Sequence, residues 1–355
     1  MYTYYESAGS FKMLKKQVFG KTKDGEDINL VLLESGPYSA EILSLGGVLK
    51  SLKVPDRNGS VRDIVLGFDN PLDNLTSTTY FGQVVGRFAN RIAQGRFSID
   101  GVEYQMETNN GENSLHSGSS NFGWKNWHME PFEWSGAPGV VLSLYSPEGD
   151  GGMPGAVNCT VTYLLRPSGD LVIEYEATTT QKTLMNLTNH SYFNLGGAAS
   201  GTVLNHEVLL NCDRYLPVNE QLIPTGEVLD VTGTPFDFTK KKPLGRDIDK
   251  AGGYDHCFVL AKHNSQLYEF AQMHEPVSGR TMRISTTLPA VQMYTGNFLD
   301  GKTIGKAGVA YPKHGGVCFE TQFYPDSPNH PNFPSCLLDS MSVYKHTTKF
   351  SFGVK

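Results

Sequence analysis

The stretch "VNCTVTYLLRPSGDLVIEYEATT", residues 157–179, constrains the fold more tightly than any other part of the chain. Val157, Cys159, Val161, Tyr163 and Leu165 alternate with their neighbours, "PSGD" turns the chain, and Leu171, Ile173, Tyr175 and Ala177 alternate again. Successive side chains of a strand point to opposite faces, so a period of two around a turn predicts an antiparallel hairpin. Similar pairs flank "KTKDGED" near residue 24, "SLGG" near residue 45 and "DRNGS" at 56–60. Strand-like runs continue to the closing "TTKFSFGV", and no long capped amphipathic helix interrupts them. The 355 residues show no linker, compositional break or internal repeat. The expected fold is all-β: one large antiparallel β-sandwich domain over residues 15–355, with residues 1–14 as an extension outside it.

Composition narrows the partners. A net charge of -6 and the lack of any basic block argue against nucleic acid. No apolar run approaches the roughly 20 residues that span a bilayer, so no membrane partner is expected. The opening "MYTYYESAGSFKMLKK" lacks the basic start and apolar run of a signal peptide. The five cysteines are scattered, with Cys257 and Cys318 in the apolar runs "DHCFVL" and "GVCFET". Reduced thiols in a cytoplasmic protein fit that pattern better than a disulfide framework.

Polar side chains then appear where a sandwich should be dry. In "NLTNHSYFNLGG", residues 186–197, strand periodicity puts Asn186, Thr188, His190, Tyr192 and Asn194 on one face. That face carries hydrogen-bonding groups but no Lys, Glu or Arg, so a strand lining a polar cleft fits better than a solvent-facing one. In "GVCFETQF", Val317, Phe319, Thr321 and Phe323 alternate with Cys318, Glu320 and Gln322. Burying Glu320 is costly unless it is paired, which leaves two readings open: a core ion pair or edge position, or a pocket carboxylate tuned for proton transfer. "NSLHSGSSNFGWKNW" is read as a loop with His116 near Trp124 and Trp127, aromatics of the kind a sugar's C–H face needs. "GRFANRIAQGRF" offers Arg87, Asn90 and Arg91, and "GGYDHCFVL" places Asp255 and His256 ahead of an apolar strand. These could equally be solvated turn residues and strand-end caps. No G-x-S-x-G, P-loop, zinc-spaced cysteine pair, H-E-x-x-H or dinucleotide fingerprint occurs.

Seven segments in register resemble the aldose 1-epimerases, or galactose mutarotases: "GRFANRIAQGRF", "NSLHSG", "NLTNHSYFNL", "YLPVNEQLIPTGE", "GYDHCFVL", "VQMYTGNFLDG" and "GVCFETQFYPDSPNHPNFPS". The likeness runs from about residue 15 to the C-terminus. It implies a β-supersandwich that interconverts the anomers of free hexoses such as galactose and glucose, without metal or organic cofactor, as a monomer or weak homodimer. It also implies Glu320 as catalytic base and His190 as catalytic acid, with Asn90, Arg91, His116, Asp255 and Gln292 binding the sugar. Two departures bear on the lid of the sugar site. Ser117 stands where the family usually has Gly, and "NFGWKNW" replaces G-F-D-K.

Anomer exchange requires a base to take the C1 hydroxyl proton while an acid protonates the ring oxygen, after which the open aldehyde turns and recloses with the roles reversed. Ordinary values near 4.3 for Glu and 6.5 for His would place an acid limb on Glu320 and a basic limb on His190. Mutual attraction would widen that window and burial would oppose it. Three rivals stand beside this reading. They are a metalloenzyme using the histidines and carboxylates, a non-catalytic sugar-binding regulator with the same pocket, and a glycosidase using Asp255 with Glu320.

Overall fold

The computed structural model describes residues 12–262 and 266–355. Residues 1–11 of the expected extension lie outside the described residues, whereas Lys12 to Leu14 already pair with Ser35 to Leu33.

Three antiparallel sheets carry the fold. The first is a five-stranded meander, Lys12–Lys21, Asp27–Ser35, Tyr38–Leu43, Leu49–Pro55 and Val61–Asp63; three of its four turns are the short hairpins anticipated above, and the fourth is the tight turn at 36–37. The second has nine strands in the order His128–Trp134, Ala137–Ser146, Val157–Leu165, Asp170–Thr179, Tyr344–Val354, Arg280–Thr286, Tyr268–His274, Glu207–Leu210 and Lys242–Pro243. The third has six, Tyr192–Phe193, Val317–Gln322, Ala290–Tyr294, Asp255–Val259, Arg214–Tyr215 and Leu229–Asp230. The helical segments among the described residues are short 3₁₀ turns, and none is long and apolar enough to cross a membrane.

The 157–179 segment forms the expected antiparallel hairpin, with Leu165 opposite Leu171 and Val157 opposite Thr179. Arg166 N donates to Asp170 O at 2.8 Å across its turn. Gly169 there has φ +83°, and a Cβ would run into Tyr38 and the Phe352 carbonyl, so both backbone and space require glycine. All nine alternating apolar residues of the hairpin enter the main core. That core also takes Val31, Ile42 and Leu52 from the first sheet, and Phe258, Val291, Val317 and Phe319 from the third. The C-terminal strand Tyr344–Val354 sits mid-sheet between Asp170–Thr179 and Arg280–Thr286 and closes the sandwich. All five cysteines are buried free thiols.

The third sheet positions the site. Its strands send Val291, Met293, Val317 and Phe319 into the core. By the two-residue period, Gln292, Tyr294, Cys318 and Glu320 point to the other face. Glu320 lies directly opposite Gln292, and Asp255 opposite Tyr294.

Candidate active site

The segment 186–197 is not one strand. Its two short strands go to different partners, Thr188–Asn189 to Val85 and Val84 and Tyr192–Phe193 to Cys318 and Val317, while Thr183–Leu184 just before it pairs with Leu338 and Leu337. The expected cleft-lining face is therefore split. Asn186 is sealed in the interior, where Nδ2 donates to Ala89 O at 3.2 Å and Oδ1 accepts from Phe323 N at 2.8 Å. It ties the "FANR" loop to the end of the Glu320 strand. Asn189 accepts from Ser191 N and Oγ and donates to Gly82 O and Tyr163 Oη. Asn194 binds the carbonyls of Gly201 and Gly315. These asparagines satisfy loop backbone that no sheet partner reaches. From this run only His190 and Tyr192 line the recess.

The recess encloses about 70 Å³ and is lined by Thr78, Tyr80, Asn90, Arg91, Leu115, His116, His190, Tyr192, Asp255, Tyr294, Phe298 and Glu320. It adjoins a larger cleft of about 850 Å³ walled by loops 76–80, 109–115, 220–222 and 298–303. Six of the seven expected site residues thus meet at one place. The seventh, Gln292, stands behind: its Nε2 donates to Asp255 Oδ1 at 2.7 Å and holds that carboxylate.

His190 Nε2 lies 3.6 Å from Glu320 Oε1, and both side chains are nearly sealed from solvent. The imidazole is fixed from several sides. Tyr192 and Tyr80 stack on it with centroids at 5.2 and 5.7 Å, and His116 meets it edge-on at 5.4 Å. Its Nδ1 is 3.5 Å from Cys318 Sγ. Glu320 Oε2 has no hydrogen-bond partner among the described residues. Burial, with the Asp255 carboxylate nearby, pushes the Glu320 carboxyl well above its usual range, and burial brings His190 down to about 4. Of the two opposing effects, burial outweighs mutual attraction here: it raises the Glu320 carboxyl and lowers the His190 imidazole, favouring the uncharged form of each.

His116 is held by a local clasp. Asn90, with φ +66°, donates its N–H to His116 Nδ1 at 3.1 Å and accepts from the His116 N–H at 3.0 Å. The ring is buried, which pushes its pKa well below the usual value and keeps it neutral. With Nδ1 accepting, the ring proton sits on Nε2. His116, His190 and Glu320 come within 4.8 Å of one another, spacing a metal ion could span. His116, however, offers it no free lone pair, so this donor set fits a hydrogen-bonding site better than a metal centre.

Arg91 is buried at the recess wall, its Nε donating to Asn110 Oδ1 at 3.0 Å. Asp326 clamps the chain around it, donating from its own N–H to Arg91 O at 2.8 Å and accepting from Ala93 N at 2.9 Å. This is the physical content of the "YPDSPNHP" stretch, which sequence inspection left without a role. Arg87 is not a site residue: it is 1% exposed and gives its donors to Ser146, Pro147, Pro154 and Gly155.

The loop expected to form a lid does not cover the recess. Trp127 is buried against Phe122 and donates to Phe122 O. Neither Trp127 nor Trp124 lines the site; the aromatics that do are Tyr80, Tyr192, Tyr294 and Phe298. Ser117 replaces glycine at φ +65° with compensation, since its Oγ accepts from Phe88 N at 2.9 Å and donates to Phe88 O at 3.2 Å. Tyr192 and Tyr294 were accessible to the same two-residue alternation that places Glu320. Tyr80, on a loop, gives no such signal.

The description "Aldose 1-epimerase" fits residues 29–351 of the chain as a family model. This chain belongs to the aldose 1-epimerase family. Among family relatives, a galactose mutarotase from Bos taurus is 46% identical over 91% of this chain and 93% of its own length. An aldose 1-epimerase from Escherichia coli (strain K12) is 34% identical over 93% and 96%. Among solved structures, an aldose epimerase homologue from C. elegans superposes with a TM-score of 0.83 at 32% identity, covering 90% of this chain and 97% of that one. Membership in the aldose 1-epimerase family accounts for the sandwich.

Proposed function

We propose that this protein is an aldose 1-epimerase that interconverts the α and β anomers of free hexoses such as galactose and glucose, with Glu320 and His190 as its acid–base pair. The observation that carries this reading is a buried carboxylate facing a buried imidazole at 3.6 Å, with one carboxylate oxygen unpartnered, at the floor of a recess walled by hydrogen-bonding groups. The C1 hydroxyl donating to Glu320 and the ring oxygen accepting from His190 both favour the charged form of the pair. Sugar binding thus moves the shared proton from carboxyl to imidazole. Glu320 then takes the C1 proton as His190 protonates the ring oxygen, C1–O5 breaks, and the aldehyde turns about C1–C2. Reclosure on the other face returns both protons. Arg91, His116, Asn90 and Asp255 hold the sugar hydroxyls, and Gln292 acts through Asp255.

The clasped tautomer of His116 supports a metal-free reaction, and the proton-sharing geometry supports turnover over passive sugar binding. We take residues 12–355 as one domain, its start moved from residue 15 because Lys12 to Leu14 pair in the first sheet, and place the protein in the cytoplasm as a monomer or weak homodimer; the five buried free thiols agree with a reducing compartment. Polarimetry on freshly dissolved α-D-galactose and α-D-glucose tests the reading. Faster decay to the equilibrium rotation, unchanged by chelator, is expected. A decay no faster than buffer would overturn it.

A further inference from the structure

Phe298 stands apart from the other aromatic rings of the recess. The three tyrosines lining the same recess are buried, whereas Phe298 is 74% exposed. Single exposed apolar side chains are common, but this one stands at the rim of a polar recess with an aromatic face free toward it. Yet its position is fixed: the Phe298 N–H donates to Tyr294 Oη at 3.1 Å, and the ring stacks on Tyr294 with centroids 6.1 Å apart and planes at 29°. Tyr294 ends the strand that carries Gln292, so the sheet holding the Asp255 carboxylate also fixes this ring. Phe298 borders both the recess and the wider cleft.

A pyranose presents two kinds of surface. Its hydroxyls, C1–OH and ring oxygen need polar partners, which Arg91, His116, Asp255 and the His190–Glu320 pair supply. Its C–H groups form an apolar patch, which rests best on an aromatic face. Phe298 is the ring that keeps apolar surface free for it.

We propose that Phe298 is the platform for the apolar C–H face of the bound aldopyranose, and so a specificity-determining residue that sets affinity without taking part in proton transfer. This rests on the reading of the recess as an aldopyranose site. The test compares wild type, Phe298→Ala and Phe298→Tyr by polarimetry on α-D-galactose and by calorimetric titration with D-galactose. Phe298→Ala is expected to raise KM and Kd about tenfold, the scale of an aromatic contact, with kcat within about twofold. Phe298→Tyr, which keeps the ring, is expected to stay near wild type. Unchanged KM and Kd in Phe298→Ala, or a fall in kcat at constant KM, would overturn the platform role. The calorimetric arm separates the two readings. A wild type that binds galactose without speeding mutarotation, with Phe298→Ala binding tenfold weaker, would refute the anomerase reading and leave the platform standing. A wild type that binds no galactose would overturn both.

Discussion

His190 Nε2 and Glu320 Oε1 stand 3.6 Å apart with no charged residue between them and almost no solvent around them. At this separation the carboxyl and imidazole are neighbours but not yet hydrogen-bonded partners. Both groups line the same recess, so the C1 hydroxyl and ring oxygen of a sugar seated there could meet one each.

That relationship fixes a pH profile. With His190 near 4 and Glu320 raised, the one-proton state of the pair is populated from about pH 4 up to the raised Glu320 value. Activity is expected to fall on the acid side as His190 takes a second proton, and on the alkaline side as the shared proton leaves Glu320. The limbs thus exchange owners relative to the ordinary pKa values. Measured kcat/KM against pH should be bell-shaped, with the acid limb lost in the residual activity of His190→Gln. An acid limb that persists in that variant would contradict the assignment.

Stability should follow the same groups. A carboxyl whose folded pKa is raised holds its proton in the fold after the unfolded chain has lost it, so stability falls as pH climbs from about 4.5 toward the folded value. His190, with its folded pKa depressed, has the opposite slope between about 4 and 6.5, where the unfolded chain holds the extra proton. Above about 6.5 only the Glu320 slope remains. Glu320→Gln is therefore expected to melt close to wild type near pH 5 and higher than wild type at pH 7.5, by about 2 °C. Thermal melts across that range check it; a melting-temperature difference that does not grow with pH would contradict it.

Asp255 tunes the pair. Its carboxylate raises Glu320, after burial itself. Asp255→Asn should shift the alkaline limb of kcat/KM to lower pH and raise KM, because a sugar partner is altered as well. An unmoved alkaline limb would show that the two carboxyl groups do not communicate.

Much of this architecture is legible in the sequence, because one dry face per strand leaves a period of two. The 157–179 hairpin and the division of "GVCFET" into core and site faces both follow from it. The sheet order is not legible: nothing local says that Tyr344–Val354 lies between strands far away in the chain. Periodicity also misleads at 186–197, where buried asparagines satisfy loop backbone from three neighbouring segments and imitate a polar strand face. Tryptophans near His116 attract a sugar-binding reading, yet Trp127 is core and the exposed aromatic ring lining the recess is Phe298.

The asparagine interpretation carries its own prediction. Asn186→Ala leaves Phe323 N and Ala89 O without partners in the interior and should cost about 2–4 kcal/mol of unfolding free energy. Urea denaturation measures it. A loss within about 0.5 kcal/mol, the range of an ordinary surface change, would show that the bridge is dispensable.

The central claim is that one proton shared by Glu320 and His190 opens the sugar ring. Its most direct test is the mutarotation rate of α-D-galactose, followed by polarimetry, for wild type and Glu320→Gln. The amide fills the same space but cannot take the C1 proton. The predicted result is a folded Glu320→Gln protein, still binding galactose, whose kcat is lower by about 10² to 10⁴. A folded Glu320→Gln protein that turns galactose over at the wild-type rate would contradict the account.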